Sequence, residues 1–337
     1  MKTNKYITSL IPYSSKKVDA SILLNANETT NYLFPDGIRL DYDIERYPIK
    51  TPQQLINQLA DKYSVPSASL ILGNGSTELL ELSTRTFTDI GDIILTLDPS
   101  FSMYTVYSQV VGCTLKTVSV FQPIESIFTN LRELNQQFNP SIVFICNPNN
   151  PTGTLLPRSE ILSFVKETDA LVIVDEAYME FANEQESVAL DTKTYDNLLV
   201  ARTFSKAYGL ASLRLGYMIG SPSTITTLSK AKLPYSLNEV TARIGLQALE
   251  YESRVQTFVS SVITERDKLY QELQQLPLKV QPSFTNFFFV ESTIDLQSAL
   301  LNYGILIRSF RNGTYRITIG TKDENKQLLI ALQEVLS

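Results

Sequence analysis

Five short runs, LILG, DIILTLD, SIVFICN, ALVIVDEAY and LLVARTF, are apolar at almost every position and rich in β-branched residues. A strand buried on one face alternates apolar with polar residues; a continuous apolar run needs cover on both faces. The covers stand beside the runs. LILG leads into STELLELSTRTF, DIILTLD into SFSMYTVYSQVVG, and SIVFICN precedes RSEILSFVKET, all with helical periodicity. This βαβα rhythm predicts an α/β fold, with a mostly parallel central sheet and helices on both faces. Near residue 250 the rhythm breaks. A long charged helix, EYESRVQTFVSSVITERDKLYQELQQL, leads to strands TNFFFVES, ILIRSF and YRITIG, with LQSALLNYG and KDENKQLLIALQEVL as helices among them. That predicts a smaller α+β domain, completed by the N-terminal segment. The expected division is a large domain over 35–248, with 1–34 and 249–337 forming the arm and small domain, as suits 337 residues.

Composition narrows the chemistry. The chain has no histidine, which removes Ser-His-Asp and Cys-His mechanisms and the usual zinc sites. No metal is expected. Proton transfer falls to Lys, Tyr, Asp, Glu or a cofactor. A net charge of −6 without blocks of like charge argues against nucleic acid and anionic membrane as partners. The two cysteines, Cys113 and Cys146, have no framework or metal spacing and read as reduced thiols in a cytoplasmic protein.

Four motifs carry possible chemistry. In LGNGSTELLEL (Leu72–Leu82) a glycine turn precedes Ser76 and Thr77 at a helix start, which suits either an ordinary capped helix or an anion. CNPNNPTG (Cys146–Gly153) makes a rigid polar turn after a buried strand, where α/β sheets bind ligands, and presents Asn150 as an amide donor. In ALVIVDEAYMEF, Asp175 stands at the carboxyl end of an apolar strand, either capping the next helix or meeting a cation or donor. In ARTFSKAYGLASLRLGY, Lys206 is flanked by Thr203 and Ser205, and Arg214 follows about two helical turns on, as if on the same helical face. A lysine beside another cation is more easily neutral and then forms imines with carbonyl compounds. Hydroxyls and a guanidinium suit a phosphate. Together these groups supply a phosphate cradle, an imine-forming amine, a carboxylate for a ring nitrogen and an amide for a ring oxygen. They fit pyridoxal 5′-phosphate.

These residues, in this order, resemble the fold-type I aminotransferases, and among them the histidinol-phosphate aminotransferase family. The resemblance also includes PYSSKK, LNANE, RYP at Arg46–Pro48, PSFSMY and YRITIGT, and runs over nearly the whole chain. It implies a transaminase of histidine biosynthesis, converting histidinol phosphate and 2-oxoglutarate to imidazole-acetol phosphate and glutamate. Lys206 would hold the cofactor and shuttle the substrate's Cα proton. Asp175 would pair with the ring nitrogen, Tyr178 and Asn150 with the phenolic oxygen, and Tyr104 would stack on the ring. The cofactor phosphate would meet Ser76, Thr77, Thr203, Ser205 and Arg214, with Tyr47 reaching it from the partner subunit of a homodimer. Arg316 would clamp the α-carboxylate, and Arg308, or its neighbour Arg311, the distal phosphate or carboxylate. Tyr13 and Asn25 would line the same pocket. Where the family's glycine turn usually carries aspartate, this chain has Thr77. Two other activities fit the same motifs: a threonine-phosphate decarboxylase-like lyase and an aromatic or broad-range aminotransferase.

Overall fold

The computed structural model describes residues 5–8, 10, 19–29, 33–39 and 45–336. In chain order they form β1 (Ile22–Leu24), α1 (Lys50–Tyr63), β2 (Leu70–Asn74), α2 (Ser76–Phe87), β3 (Ile93–Asp98), α3 (Met103–Val111), β4 (Thr114–Ser119) and α4 (Ile124–Phe138). There follow β5 (Ile142–Cys146), α5 (Arg158–Glu167), β6 (Leu171–Asp175), β7 (Leu198–Thr203), β8 (Leu215–Ile219), α6 (Pro222–Lys230), α7 (Glu239–Leu249) and α8 (Glu252–Leu273). The chain closes with β9 (Lys279–Val280), β10 (Phe287–Glu291), α9 (Leu296–Leu301), β11 (Ile305–Ser309), β12 (Thr314–Thr318) and α10 (Lys322–Leu336).

Seven strands make one sheet in the order β2-β8-β7-β6-β5-β3-β4. From β7 to β4 every pairing is parallel, while β8 runs antiparallel to both β2 and β7. The α/β fold with a mixed, mostly parallel sheet is therefore present as the apolar runs predict. Because side chains alternate across a strand, each run feeds two cores. Ile94, Phe144, Ile173 and Leu199 pack with Leu79, Tyr104 and Ile225 of α2, α3 and α6. Leu95, Val143, Val172 and Val200 pack with Leu59, Phe128 and Phe164 of α1, α4 and α5. Fully burying one such side chain contributes about 1.5–3 kcal/mol, which is why a run polar on one face would not serve here.

Five strands make a second sheet, ordered β1-β11-β12-β10-β9. β1 lies parallel to β11 at its edge, and the other pairings are antiparallel. Residues 22–24 thus join a sheet otherwise drawn from residues 279–318.

The carboxyl ends of the parallel strands lie side by side. Asp175, the last residue of β6, stands opposite Cys146 of β5 and Ala201 of β7. The segment around Lys206 differs from the helical placement read from its sequence. It is a loop between two antiparallel strands, β7 and β8, which are both fully buried. Arg214 reaches back toward Ser205 through a left-handed backbone (φ 54°) at the entry to β8, not along a helix face. Behind the site, the fully buried Arg202 of β7 pairs with Glu176 at 2.8 Å, Glu180 at 3.2 Å and Glu184 at 3.0 Å. This pins the chain that leaves β6.

Candidate active site

Lys206 projects from the β7–β8 loop, and its Nζ donates to the main-chain oxygens of Ala26 at 3.1 Å and Asn27 at 3.3 Å. It lies 5.6 Å from the centre of the Tyr178 ring. Burial of the amine, followed by the positive charge of Arg316, pushes its pKa down to about 7, with Glu28 opposing. At neutral pH a large fraction of this amine is unprotonated, the form needed for attack on a carbonyl.

Asp175 is buried, and burial raises its carboxyl to about pKa 6 although Tyr104, the Ala177 amide and Lys206 all favour its charge. Its Oδ2 accepts from the Tyr104 hydroxyl at 3.0 Å, and Oδ1 from the Ala177 N–H at 3.2 Å. The expectation that Tyr104 stacks on a ligand ring does not match this geometry. Its ring is 1% exposed and lies flat on Phe144, centroids 4.6 Å apart and planes 2° apart, so neither face is presented to a pocket. Tyr104 is the partner of Asp175. Half-buried Phe101 stands edge-on to Tyr104 at 5.6 Å.

At the start of α2 no side chain caps the helix, so its first N–H groups lack a side-chain acceptor. Gly75 (φ +81°) makes this approach possible: a Cβ there would lie 2.4 Å from Arg214 Nη2. Arg214 Nη1 donates to Ser205 Oγ at 3.3 Å. Uncapped amides, a hydroxyl and a guanidinium converging on one place form a donor set suited to a phosphate. Thr203 departs from the expected set. Its hydroxyl donates to the Leu215 carbonyl at 3.3 Å and accepts the Ser205 N–H at 3.1 Å, so it braces the loop rather than facing outward. Tyr107, which the sequence reading passed over, ends near Thr77 and Arg214. Its hydroxyl is buried beside the Thr77 side chain.

On the second sheet Arg316 bridges to the first. Its Nη1 donates to Asn150 Oδ1 at 2.6 Å and its Nη2 to the Asn25 main-chain oxygen at 2.8 Å. Arg308 stands directly across from it on β11, exposed and on the same face. Arg311 is exposed beyond the end of β11. Tyr178 accepts from the Asn27 amide at 2.9 Å. Asn27, 1% exposed, is a second residue missed in the sequence. Tyr47 is not brought to the lysine of its own chain: it is 73% exposed and stacks on Tyr235 at 4.5 Å. Tyr13 lies outside the described residues. Among the described residues no cluster of His, Cys, Asp or Glu could hold a metal ion, and no helix is long and apolar enough to cross a membrane.

Known proteins resemble this chain in sequence and in fold. The histidinol-phosphate aminotransferase of Caldanaerobacter subterraneus subsp. tengcongensis is 35% identical over 96% of this chain and 96% of its own length. The crystal structure of histidinol-phosphate aminotransferase from Sinorhizobium meliloti in complex with pyridoxal-5′-phosphate has the same fold. Its TM-score is 0.87 at 24% identity, over 99% of this chain and 97% of that one. The L-threonine-O-3-phosphate decarboxylase of Porphyromonas gingivalis also shares the fold. It gives a TM-score of 0.79 at 22% identity, over 93% of this chain and 98% of that one. Residues 33–332 match the model of aminotransferases class I and II, and the chain belongs to that family.

Proposed function

We propose that this chain is a pyridoxal-phosphate-dependent aminotransferase that interconverts histidinol phosphate plus 2-oxoglutarate with imidazole-acetol phosphate plus glutamate. The observation that carries the reading is Lys206, whose amine sits near pKa 7 beside Asp175, Tyr178 and Arg316. The donor set at Gly75, Ser76, Thr77, Ser205 and Arg214 fits the cofactor's phosphate. Asp175, ionised above about pH 6, fits a protonated ring nitrogen. Support for the substrate comes from the curated relative at 35% identity and from two arginines on one face of the second sheet.

In this reading the bound cofactor supplies an electron-withdrawing ring beside the substrate's Cα. Lys206 would hold it through its amine and would shuttle the proton between the substrate's Cα and the cofactor. Asp175 keeps the ring nitrogen protonated, with Tyr104 holding the carboxylate in place. Tyr178 and Asn150 donate to the ring oxygen. Arg316 binds the α-carboxylate, and Arg308 takes the substrate phosphate or the distal carboxylate of glutamate; a bidentate fork suits both anions. Asn25 lines the same pocket. Tyr47, exposed and turned away from its own lysine, serves the phosphate site of a partner subunit in a homodimer. The chain divides into a cofactor domain over 35–248 and a small domain built from 1–34 and 249–337, and it works in the cytoplasm in histidine biosynthesis.

The purified protein, supplied with pyridoxal phosphate, should form glutamate from 2-oxoglutarate only when histidinol phosphate is present. Lys206→Ala should abolish this turnover. Carbon dioxide release from O-phosphothreonine without glutamate formation would instead identify a decarboxylase.

A further inference from the structure

Asn27 touches two of the candidate catalytic groups, Tyr178 through its amide and Lys206 through its main-chain oxygen. It is buried, and its backbone is left-handed (φ 53°), a conformation asparagine tolerates better than most residues. Its N–H donates to Thr318 Oγ1 at 3.0 Å, and the Thr318 hydroxyl in turn donates to Asn27 Oδ1 at 3.2 Å. With the amide oxygen held by Thr318, the amide nitrogen must face the other way, where it donates to the Tyr178 oxygen at 2.9 Å. A flipped amide would instead accept the Tyr178 proton, which would then be unable to point at a ligand. The main-chain oxygen of Asn27 accepts from Lys206 Nζ and from Asn286 Nδ2, each at 3.3 Å.

This fixes what Tyr178 can do. Its oxygen already accepts a hydrogen bond, so its own proton is left to point at something else. Its ring is held edge-on to Phe287 at 5.1 Å. Burial holds the phenol at about pKa 12; Arg316 and the Asn27 amide favour its ionisation, and Cys146 and Asp175 oppose it. Donation from Asn27 therefore makes Tyr178 a stronger donor in turn.

We infer that Asn27 is a positioning residue: its amide holds the Tyr178 hydroxyl as a donor toward the cofactor's ring oxygen while its main-chain carbonyl steadies the Lys206 amine. The inference rests on the cofactor assignment proposed above. Asn27→Gly removes the amide, keeps the carbonyl and favours the same backbone. It leaves Tyr178 a poorer donor, so negative charge on the ring oxygen is less well stabilised. The pH midpoint of the protein's visible pyridoxal-phosphate band should then rise by roughly half a unit to one unit, a three- to tenfold change in proton affinity.

The experiment is a double-mutant cycle read by pH titration of that band and by the pyridoxal-phosphate dissociation constant. Asn27→Gly should raise the midpoint in the wild-type background and leave it unmoved in Tyr178→Phe. Thr318→Val, which frees the amide to turn, should give a smaller shift in the same direction and does not depend on the folding of the glycine variant. Equal shifts in both backgrounds, or none in either, would overturn the inference. A wild-type protein that never develops the band overturns the cofactor reading itself, and the two failures are thereby told apart.

Discussion

Replacing Tyr104 with phenylalanine keeps the ring that lies on Phe144 and removes one oxygen. That oxygen is the donor 3.0 Å from Asp175 Oδ2; the Ala177 N–H at 3.2 Å remains. A hydrogen bond to a buried ionised carboxylate contributes about 1.5–3 kcal/mol. One pKa unit corresponds to about 1.36 kcal/mol, so losing the bond moves Asp175 upward by roughly one to two units from its present value of about 6. The sign of the stability effect follows. The folded-state pKa of Asp175 is raised, so its charge costs stability above that value, and the cost fades as pH falls toward the ordinary 3.8. Without Tyr104 the cost is larger and keeps growing to a higher pH before it levels off. Tyr104→Phe should therefore destabilise most above about pH 8, with the deficit smaller by about 1–2 kcal/mol near pH 5, where the carboxyl is protonated in both proteins. Thermal melts of the cofactor-free protein at pH 5, 7 and 8.5 read this directly. A melting deficit equal at all three pH values would mean that Tyr104 merely packs, and would refute the reasoning.

Two further substitutions test other parts of the site. Arg316→Gln removes the cation that helps hold the Lys206 amine low. The midpoint for pyridoxal-phosphate uptake by the cofactor-free protein, set by the neutral amine, should rise by roughly one unit; an unchanged midpoint counts against that coupling. Gly75→Ala sets a Cβ 2.4 Å from Arg214 Nη2 in a backbone conformation that alanine disfavours. It should weaken pyridoxal-phosphate binding at least about tenfold, since displacing Arg214 removes a charge-assisted bond to the phosphate; equilibrium dialysis measures it.

Much of this was legible in the sequence, because strand ends can be read from apolar runs. Asp175 closes one such run and Lys206 follows another, and adjacent parallel strands bring their carboxyl ends together whatever the intervening chain does. What stayed hidden depends on direction. The PSFSMY motif places Tyr104 near Asp175, but the sequence does not say whether the ring lies above a ligand or behind the carboxylate; packing against Phe144 decides that. Thr203 looked like a phosphate donor because its hydroxyl is close in sequence, yet the β7–β8 loop turns it onto its own backbone. Lys206 and Arg214 looked like neighbours on a helix because their spacing fits one, whereas two buried antiparallel strands bring them together through a loop. Asn27 was invisible for another reason: its importance lies in contacts to Tyr178 and Thr318, which are 151 and 291 residues away, and in a left-handed backbone that no local pattern announces.

The central claim is that the amine of Lys206 carries the cofactor. Borohydride reduction of the pyridoxal-phosphate-loaded protein, followed by proteolysis and mass spectrometry, should place a single pyridoxyl group on the peptide containing Lys206. A protein that stays colourless and unlabelled, or a label on another lysine with Lys206 unmodified, would contradict it.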